Sequence, residues 1–368
     1  MKILIVSNYL PDQQQSMLRF SCLLEQIYCI HFETYMVSPP CIFGSISFLG
    51  PRVCKYLSYV DKLVLFPIYL FFKSLKFDFM HIADHSNSFY SFCCPKYKSI
   101  VTCHDLLAMR AAFGDQSIPI KTSLIGVYFQ KLIKLGLSRV GSVYFVSMST
   151  FKDYQKLFGT SLVQRQSVIP IALNASFSPD TDSLSLTSSE IKQIPSSPYL
   201  LMVGSSSIRK NRRLSLKLLS HLDSYHLVFA GDSLTLDELN FARLNDCDDR
   251  LISIVRPSHS LLNFLYNNAH ALLFPSFAEG FGWPLVEAQF CHCPVITSLN
   301  SSIGEVAGDG ALYADPTDVS GFMKHIKSLE DTKFRSHMIQ LGSYNSLNYS
   351  FDKMADSYCS LLLSCLND

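Results

Sequence analysis

The sequence predicts an α/β protein with two domains, each built on a parallel sheet. Short apolar segments typical of buried strands alternate with segments of helical periodicity, the order expected for parallel strands joined by crossover helices. Several of these strands, in both halves of the chain, end in polar or glycine-containing loops. Because ligands bind at the carboxyl ends of the strands in such sheets, we expect each half to carry a binding edge.

Length and composition set the domain boundaries. A chain of 368 residues can bury two separate cores. The stretch from Phe177 to Pro198 is rich in Ser, Thr, Asp and Pro, which predicts a surface connection. We therefore place the first domain at residues 1–175 and the second at residues 176–350. The remaining segment has helical periodicity, with an apolar stripe formed by Phe351, Met354, Tyr358 and Leu361.

Charge and cysteine usage exclude several classes of function. A formal net charge of +1 gives no overall field that would attract nucleic acid. The twelve cysteines have no regular spacing and fit a reducing cytosol, so a cytoplasmic location is expected. Cys291, His292 and Cys293 lack a second pair of ligands, and no zinc site is predicted there. The apolar run from Ile3 to Val6 is too short for the core of a signal peptide.

Two interpretations remain open for the apolar run from Leu63 to Phe72. The run contains Pro67 and falls well below the roughly 20 residues of a membrane-spanning helix. It could form a core-facing helix of the first domain. It could instead lie peripherally on an anionic membrane surface, at the inner face, because four lysines surround it, namely Lys55, Lys62, Lys73 and Lys76. The hydrophobic content of 48%, with 17% charged residues, favours a membrane-adjacent protein without showing one.

The first strand is predicted between Met1 and Ser7 and leads into a polar loop. Within that loop, Asp12, Gln14 and Ser16 would suit a ligand rich in hydroxyl groups. An ordinary solvated loop is the alternative.

Histidines follow two further strands of the first half. Residues Phe79 to Ser86 include His81, Asp84 and His85, and residues Ser99 to Leu106 include His104. An imidazole at a strand end can exchange a proton with a ligand near neutral pH. A lone histidine is more often a structural hydrogen-bonding group. His104 is nevertheless the stronger candidate, because two polar strand ends occur in one half and the second resembles a family motif described below. After a later strand, hydroxyl groups are expected to cap a helix, and Ser147 alone is kept as a candidate.

The first strand of the second half is followed by two cations. Tyr199 to Gly204 predicts a buried strand, and Arg209 and Lys210 lie in the next loop, before an apolar-periodic helix. Cations beside a glycine-terminated strand and a helix start suit a diphosphate. The alternative is a solvated basic helix start.

The most informative stretch runs from Phe274 to Pro294. It predicts the end of a buried strand, a turn at Gly280 to Gly282, and a helix entered through Pro284. Free backbone N–H groups and the positive end of a helix at one point suit an anion such as phosphate. Glu279 precedes the turn and Glu287 lies about one turn into the helix, where their carboxylates can accept hydrogen bonds from a polyol.

These residues carry a resemblance to a known family. Glu279 and Glu287, with Gly280, Gly282 and Pro284 between them, resemble the E-x7-E signature of the retaining glycosyltransferases of family 4, in the group 1 glycosyl transferases. The loop from Gly204 to Asn211 is similar to the family's G-x-x-x-x-R-K-N, and Val101 to Leu106 is similar to V-T-x-H-D-L. The likeness continues at Pro294 to Ser298 and at Glu305 to Asp309.

The resemblance implies the GT-B fold, in which two Rossmann-like domains face a central cleft. It also implies that the final helix, within residues 351–368, packs back on the first domain. The second domain would bind a nucleotide-sugar donor, with the diphosphate held by Arg209, Lys210 and the backbone of Gly204, Gly280, Phe281 and Gly282. Glu287 would hold the ribose, and Glu279 would position the donor sugar.

The implied reaction moves a sugar to an acceptor hydroxyl with retention of configuration. His104 would act near the reacting carbon, and the acceptor, a glycan or a lipid-linked glycan, would meet Asp12, Gln14 and Ser16. The implied role is the assembly of a cell-surface polysaccharide or glycolipid. No metal or other cofactor is expected, because cations and helix dipoles would stabilise the leaving group.

Two other functions share the same phosphate site. One is a GT-B enzyme that does not transfer sugar, such as a sugar-nucleotide epimerase. The other is an inactive scaffold that binds a nucleotide sugar. The scaffold is kept because the chain departs from the family at three places, Gln13 to Gln15, Ser205 and His292, where glycines, an arginine and a glycine are usual. A dehydrogenase is disfavoured, since no G-x-G-x-x-G follows the first strand.

Overall fold

The structure, a computed structural model, describes residues 1–46, 50–159, 165–173, 177–179 and 186–364. The chain forms two compact units. One comprises Met1–Gly114, Lys121–Asn174 and Phe351–Asp368, and the other comprises Asp115–Ile120 and Ala175–Ser350. The predicted boundary at residues 175 and 176 lies outside the described residues, as do residues 365–368 of the final segment.

The first unit is built on a six-stranded parallel sheet in the order β2-β1-β3-β4-β5-β6. Its strands are β1 (Lys2–Val6), β2 (Glu33–Val37), β3 (Phe79–Ile82), β4 (Ser99–Cys103), β5 (Ser142–Phe145) and β6 (Arg165–Val168). Its first six helices are α1 (Gln15–Cys29), α2 (Pro51–Val60), α3 (Phe66–Ser74), α4 (Leu107–Ala112), α5 (Leu124–Arg139) and α6 (Met148–Phe158). A π-helical turn, Asp61–Leu65, joins α2 to α3.

The second unit is built on another six-stranded parallel sheet, in the order β12-β11-β10-β7-β8-β9. Its strands are β7 (Tyr199–Gly204), β8 (His226–Gly231), β9 (Leu251–Val255), β10 (Ala271–Phe274), β11 (Val295–Thr297) and β12 (Ala311–Tyr313). Its helices are α7 (Ser188–Ile191), α8 (Arg212–Leu219), α9 (Leu236–Leu244), α10 (His259–Asn268), α11 (Trp283–Phe290), α12 (Ile303–Ala307), α13 (Val319–Ser328) and α14 (Thr332–Ser346).

The predicted α/β class with parallel sheets is confirmed in both units. The central strands β3, β4, β5 and β10 are buried along their whole length, as expected for parallel strands covered by helices on both faces. Each unit has its own apolar core, one around Val6, Val101 and Phe145, the other around Leu200, Phe229 and Leu273.

The last helix, α15 (Phe351–Ser364), belongs to the first unit. The Tyr358 hydroxyl lies 3.2 Å from Thr102 Oγ1 on β4, and the Tyr358 ring packs against Tyr28 of α1. Its buried side chains are Met354, Ala355, Tyr358, Cys359 and Leu362, while Phe351 and Leu361 are only half-buried. The predicted stripe is therefore shifted by one residue at its C-terminal end.

The strand orders place two crevices at the carboxyl ends of the strands. In the first sheet the chain leaves β1 for β2 on one side and then returns to β3 on the other, so the order reverses between β1 and β3. In the second sheet the reversal lies between β7 and β10. Loops that follow such neighbouring strands are the usual ligand sites of doubly wound sheets. The loops after β7 and β10 contain the predicted cations and the glycine turn.

Candidate functional site

The loops after β7 and β10 bring together Arg209, Lys210 and Glu279. Lys210 Nζ lies 2.7 Å from Glu279 Oε1. Arg209 Nη1 contacts Glu279 Oε2 and also donates to the carbonyl of Ala278, at 3.2 Å. The backbone N–H of Phe277 donates to the carbonyl of Arg209 at 2.8 Å, which joins the two loops directly. Three residues that the sequence names separately thus form one charged cluster at the reversal point of the second sheet.

This cluster is largely shielded from water. Glu279 and Lys210 are buried, and Lys210 Nζ lies 4.5 Å from the centre of the Phe274 ring. Burial alone would raise the pKa of Glu279, but the Lys210 and Arg209 charges hold it below its ordinary value. Burial lowers the pKa of Lys210, although the Glu279 carboxylate acts in the opposite direction. Each charge thus compensates part of the desolvation of the other.

The turn between Glu279 and α11 depends on glycine and serine. Gly282 has φ +104°, and a Cβ there would lie 2.9 Å from Leu285 Cδ1. Ser301 Oγ accepts from the N–H of Glu279 at 2.7 Å and donates to its carbonyl at 2.8 Å. Ser302 Oγ lies 2.8 Å from that same carbonyl and 3.1 Å from the carbonyl of Phe281. The turn is therefore fixed at both ends, and α11 begins at Trp283 with Pro284 in its first turn.

Glu287 lies on the buried face of α11. Its Oε2 accepts a hydrogen bond from the hydroxyl of Tyr266 on α10, at 2.7 Å. Burial, followed by the Glu287 charge, raises the pKa of Tyr266, so this phenol stays a donor. The Glu287 charge also opposes the lowering of the Lys210 pKa by burial, so Glu287 lies within electrostatic reach of the cluster. The two glutamates of the predicted pair act on one cation.

Five supporting residues were not singled out from the sequence: Asn211, Arg212, Tyr266, Ser301 and Ser302. Asn211 has φ +55° and its side-chain amide donates to the carbonyls of Pro275 and Pro316, at 3.2 Å and 2.6 Å. Arg212 is buried and donates to the carbonyls of Gly204 and Asp232, each at 3.0 Å. Among these residues, only the type of Asn211 could have indicated its role from the sequence, because asparagine tolerates a left-handed backbone.

Two of the residues that differ from the pattern of the resembled family, His292 and Ser205, can be placed in the structure. His292 follows α11 in a left-handed conformation, with φ +58°, and its side chain is exposed. A glycine is usual there because it adopts this conformation without a steric cost. Ser205 is half-buried and directly follows Gly204, whose φ of +132° is a backbone conformation that residues with a side chain rarely adopt.

In the first unit, His104 lies just beyond the end of β4 and is buried. Its Nε2 lies 2.9 Å from the carbonyl of Ala83, and a carbonyl only accepts, so the ring proton is on Nε2. The ring meets Phe20 edge-on, with centres 4.5 Å apart. Burial lowers the pKa of His104, so the imidazole is neutral near pH 7. The backbone N–H of His104 faces His85 Nδ1 at 3.4 Å.

A polar network joins the ends of β1 and β3. Asp84 Oδ2 accepts from Asn8 Nδ2 at 2.7 Å, and Asn8 Nδ2 also contacts Gln14 Oε1. His85 Nδ1 lies 3.2 Å from Asp84 Oδ1. Burial would raise the pKa of Asp84, but the hydrogen bond and charge of His85 hold it well below its ordinary value. The structure therefore groups Gln14 with Asp84 and His85, and these with His104.

The remaining predicted residues of the first unit are placed differently. Residues 12–16 do not form one loop, because a 3-10 turn ends at Asp12 and α1 begins at Gln15, so Ser16 lies in a helix. Asp12 pairs with Lys62, 3.1 Å away. Ser147 caps α6 by accepting from the N–H of Thr150 at 3.1 Å. The prediction that Ser147, unlike its neighbours, is not a capping residue was therefore wrong.

His81 is a core residue. It is fully buried, with Nδ1 2.7 Å from the hydroxyl of Tyr28 and Nε2 2.8 Å from Thr102 Oγ1. Burial lowers its pKa to about 3. Of the three weaker candidates, His81 is thus a structural hydrogen-bonding group, whereas Asp84 and His85 lie at the strand end.

Comparison with known proteins gives one family match. Residues 187–343 match the family model described as Glycosyl transferases group 1. These residues contain β7 to β12, with Arg209, Lys210, Glu279 and Glu287.

Curated relatives are similar over parts of the chain. The O-antigen chain mannosyltransferase RfbU of Salmonella typhimurium is 28% identical over 62% of this chain and 61% of its own length. The O-antigen chain mannosyltransferase B of Escherichia coli is 40% identical over 25% of this chain and 24% of its own length. The chain thus spans less than two thirds of either relative.

A solved structure shows the same fold over the whole chain. The sucrose-phosphate synthase of Thermosynechococcus elongatus aligns with a TM-score of 0.76 and 15% identity, covering 100% of this chain and 99% of that one. With two parallel six-stranded sheets in the chain itself, this likeness identifies the fold as GT-B.

Proposed function

We propose that this protein is a glycosyltransferase of family 4 that moves a sugar from a nucleotide-diphosphate donor to an acceptor hydroxyl with retention of configuration. The observation that carries the proposal is the convergence of Arg209, Lys210 and Glu279 beside the Gly280 to Gly282 turn, at the reversal point of the second sheet. Two cations, a helix start and two buried carboxylates within one edge of a sheet suit a diphosphate linked to two polyols.

The proposed donor contacts follow from this arrangement. Arg209 and Lys210 bind the diphosphate, together with the backbone N–H groups of the glycine turn, and stabilise the charge of the leaving nucleoside diphosphate. Glu287, oriented by Tyr266, holds the ribose. Glu279 orients the donor sugar. We propose that the reaction needs no metal ion, because these cations would take over the charge stabilisation that a metal would supply.

We assign the acceptor to the first unit, with His104 as its catalytic contribution. The polar network of Asn8, Gln14, Asp84 and His85 supports this assignment, since amides, a carboxylate and an imidazole at a strand edge suit sugar hydroxyls. Asp12 and Ser16 lie farther along the same segment, and we keep them as acceptor-side residues.

The relatives narrow the proposed chemistry. Both O-antigen proteins are described as mannosyltransferases, so we propose a hexose donor, with mannose as the first sugar to test, and a growing cell-surface polysaccharide or glycolipid as the acceptor. A cytoplasmic location is part of the proposal. It is supported by the cysteines of the described residues, which are all free thiols.

The donor site can be tested by thermal unfolding with UDP, GDP, ADP and their common sugars. A nucleotide that binds only the native state raises its unfolding temperature by mass action. We expect one base to stabilise the wild type and to lose this effect in Lys210→Ala and Glu287→Ala. Lys217→Ala is the matched control, since Lys217 is an exposed lysine on α8. If no nucleotide shifts the wild type at millimolar concentration, the donor site is wrong.

Product analysis separates the three candidate functions. With the identified nucleotide sugar, a transferase forms a glycosylated acceptor, and Glu279→Ala loses transfer but still binds nucleotide. An epimerase instead changes the sugar nucleotide without any acceptor. A scaffold binds the nucleotide sugar and forms no product.

A further inference from the structure

Helix α3 is apolar on two opposite faces. Phe66 and Leu70 point into the core of the first unit and are fully buried. A second stripe is exposed, at a spacing of four, three, one and three residues, and is formed by Val64, Ile68, Phe71, Phe72 and Leu75. Such spacing marks one face of a continuous helix. The core-facing interpretation of this run therefore holds for one face of the helix. The membrane-surface interpretation stays a prediction, and it concerns the exposed face.

The exposed stripe carries large side chains surrounded by cations. Phe72 is 64% exposed and Leu75 is 63% exposed. Lys76 lies just after α3 and is exposed, and Lys55 on α2 is exposed as well. Lys73 is half-buried, with Nζ 5.8 Å from the centre of the Tyr35 ring. Between residues 42 and 77 the sequence has one acidic residue, Asp61. Asp61 is buried and accepts hydrogen bonds from the N–H groups of Ile42, Phe43 and Gly44, so its charge does not reach the surface.

Helix α5 carries a second exposed apolar stripe. Leu124 is 82% exposed and Tyr128 is 70% exposed, and Leu135 continues the same face. The ring centres of Phe129 on α5 and Tyr59 on α2 lie 5.3 Å apart, so α5 contacts the helix that continues through the π-helical turn into α3. Residues 116–139 contain no acidic residue, and Lys121, Lys131 and Lys134 lie among the apolar ones. No sequence pattern had singled out this second stripe.

We propose that these two stripes form a docking surface for an anionic lipid bilayer. Aromatic and aliphatic side chains would enter the headgroup region, while the lysines meet the acidic lipids. A second copy of the chain is disfavoured as the occupant, because a twofold interface sets the same patch against itself and would bring like charges together. Among the described residues no helix is long and apolar enough to span a bilayer. The surface lies within the first unit, so this proposal does not depend on the proposed donor site.

Co-sedimentation of the full chain with vesicles tests the surface. Vesicles of phosphatidylcholine alone are compared with vesicles of phosphatidylcholine and phosphatidylglycerol, at low and high salt. We expect binding to the anionic vesicles that weakens with salt, because surface charges are screened. Lys55→Gln with Lys76→Gln should weaken it about fivefold for each lysine. Phe72→Ser with Leu75→Ser should weaken it at least as much.

The matched control is Leu236→Ser with Leu244→Ser. These leucines are more exposed than Phe72 and Leu75 but lie on α9 of the second unit, whose first turn contains Asp237 and Glu238. Equal pelleting of the wild type and the Phe72/Leu75 variant would overturn the proposal. So would a concentration-dependent dimer, seen by light scattering, that the same variant abolishes without any vesicle binding. Nucleotide-induced thermal shifts, measured on each variant, report separately on folding and on the donor site.

Discussion

Lys210 and Glu279 form a buried ion pair, with Nζ and Oε1 2.7 Å apart, although 69 positions separate them in the sequence. In the proposed reaction Lys210 must also bind a diphosphate, so the carboxylate and the donor compete for the same cation. Arg209, which contacts the other carboxylate oxygen, is shared in the same way.

Replacing Glu279 with Gln should tighten nucleoside diphosphate binding while it impairs transfer. The substitution removes the anion that competes for Arg209 and Lys210, and we expect affinity to rise about fivefold, equivalent to about 1 kcal/mol. Transfer should fall at least about 100-fold, as for loss of a group that orients the reacting sugar. Isothermal titration calorimetry and a transfer assay measure the two effects. Asp309→Asn, at an exposed carboxylate of the same unit, is the control. Weaker nucleotide binding in Glu279→Gln would contradict the competition.

The same variant should unfold more easily in the absence of nucleotide. Removing one partner of a buried ion pair leaves an uncompensated charge and costs about 3 kcal/mol. Since the diphosphate would replace the missing anion, bound nucleotide should stabilise Glu279→Gln more than it stabilises the wild type. Urea unfolding with and without nucleotide gives both values.

Ser301→Ala combined with Ser302→Ala should loosen the turn that carries Glu279. These hydroxyls hold the backbone of Glu279 and Phe281, and the loss of a buried partner costs about 1–3 kcal/mol. We expect KM for the donor to rise about tenfold, because a displaced turn misplaces its N–H groups. Ser320→Ala, at an exposed serine of α13, should change neither value. An unchanged KM would show that the turn is held by other contacts.

His292→Val should lower the stability of the protein, whereas His292→Gly should leave it nearly unchanged. At φ +58°, valine should destabilise the protein by about 1–2 kcal/mol, because a β-branched side chain fits left-handed backbone poorly. Glycine should leave stability unchanged within about 1 kcal/mol. It adopts the left-handed backbone without steric strain, and this gain offsets the larger backbone entropy that glycine loses on folding. Chemical denaturation measures both. A valine variant as stable as the wild type would contradict the left-handed backbone.

Stability should fall with acid through His81. Its pKa is about 3 in the folded protein against 6.5 for the ordinary group. Between these values the unfolded chain binds a proton that the folded one does not, so the free energy of unfolding decreases as the pH falls from about 6.5 to about 3. In His81→Gln this pH dependence should be flatter. His31→Gln, at an exposed histidine, should keep the wild-type slope. Parallel slopes for His81→Gln and the wild type would rule out this role.

Local sequence carried much of the fold. The buried strands at residues 199–204 and 271–274, the glycine turn and the helix after Pro284 all follow from periodicity and backbone preferences over a few residues. The loop after the first strand was harder. Its polar composition suggested one loop over residues 12–16, whereas α1 begins at Gln15, because a helix that buries its apolar face can start without a strong capping residue.

The residues of the candidate site also divide into those that local sequence identified and those that it did not. Arg209, Lys210, Glu279 and Glu287 could be named from the sequence because their residue types stand next to glycines and strand ends. Tyr266, Asn211, Ser301 and Ser302 were not, since each acts by a hydrogen bond to a residue far away in the chain. His81 and His85 belong to the same strand and the loop that follows it, and the sequence offered no way to distinguish them. His81 lies in the core, whereas His85 lies at the strand end.

The sequence by itself therefore determined the two parallel-sheet domains and the chemistry offered at their strand ends, because strand periodicity, glycine turns and charge are local properties. The tertiary structure decided which charges pair and which histidines are buried. It also decided that α3 has one face in the core and one at the surface. Those outcomes depend on how distant elements pack, and packing sets the water access and the partner of each polar group, which no local pattern encodes.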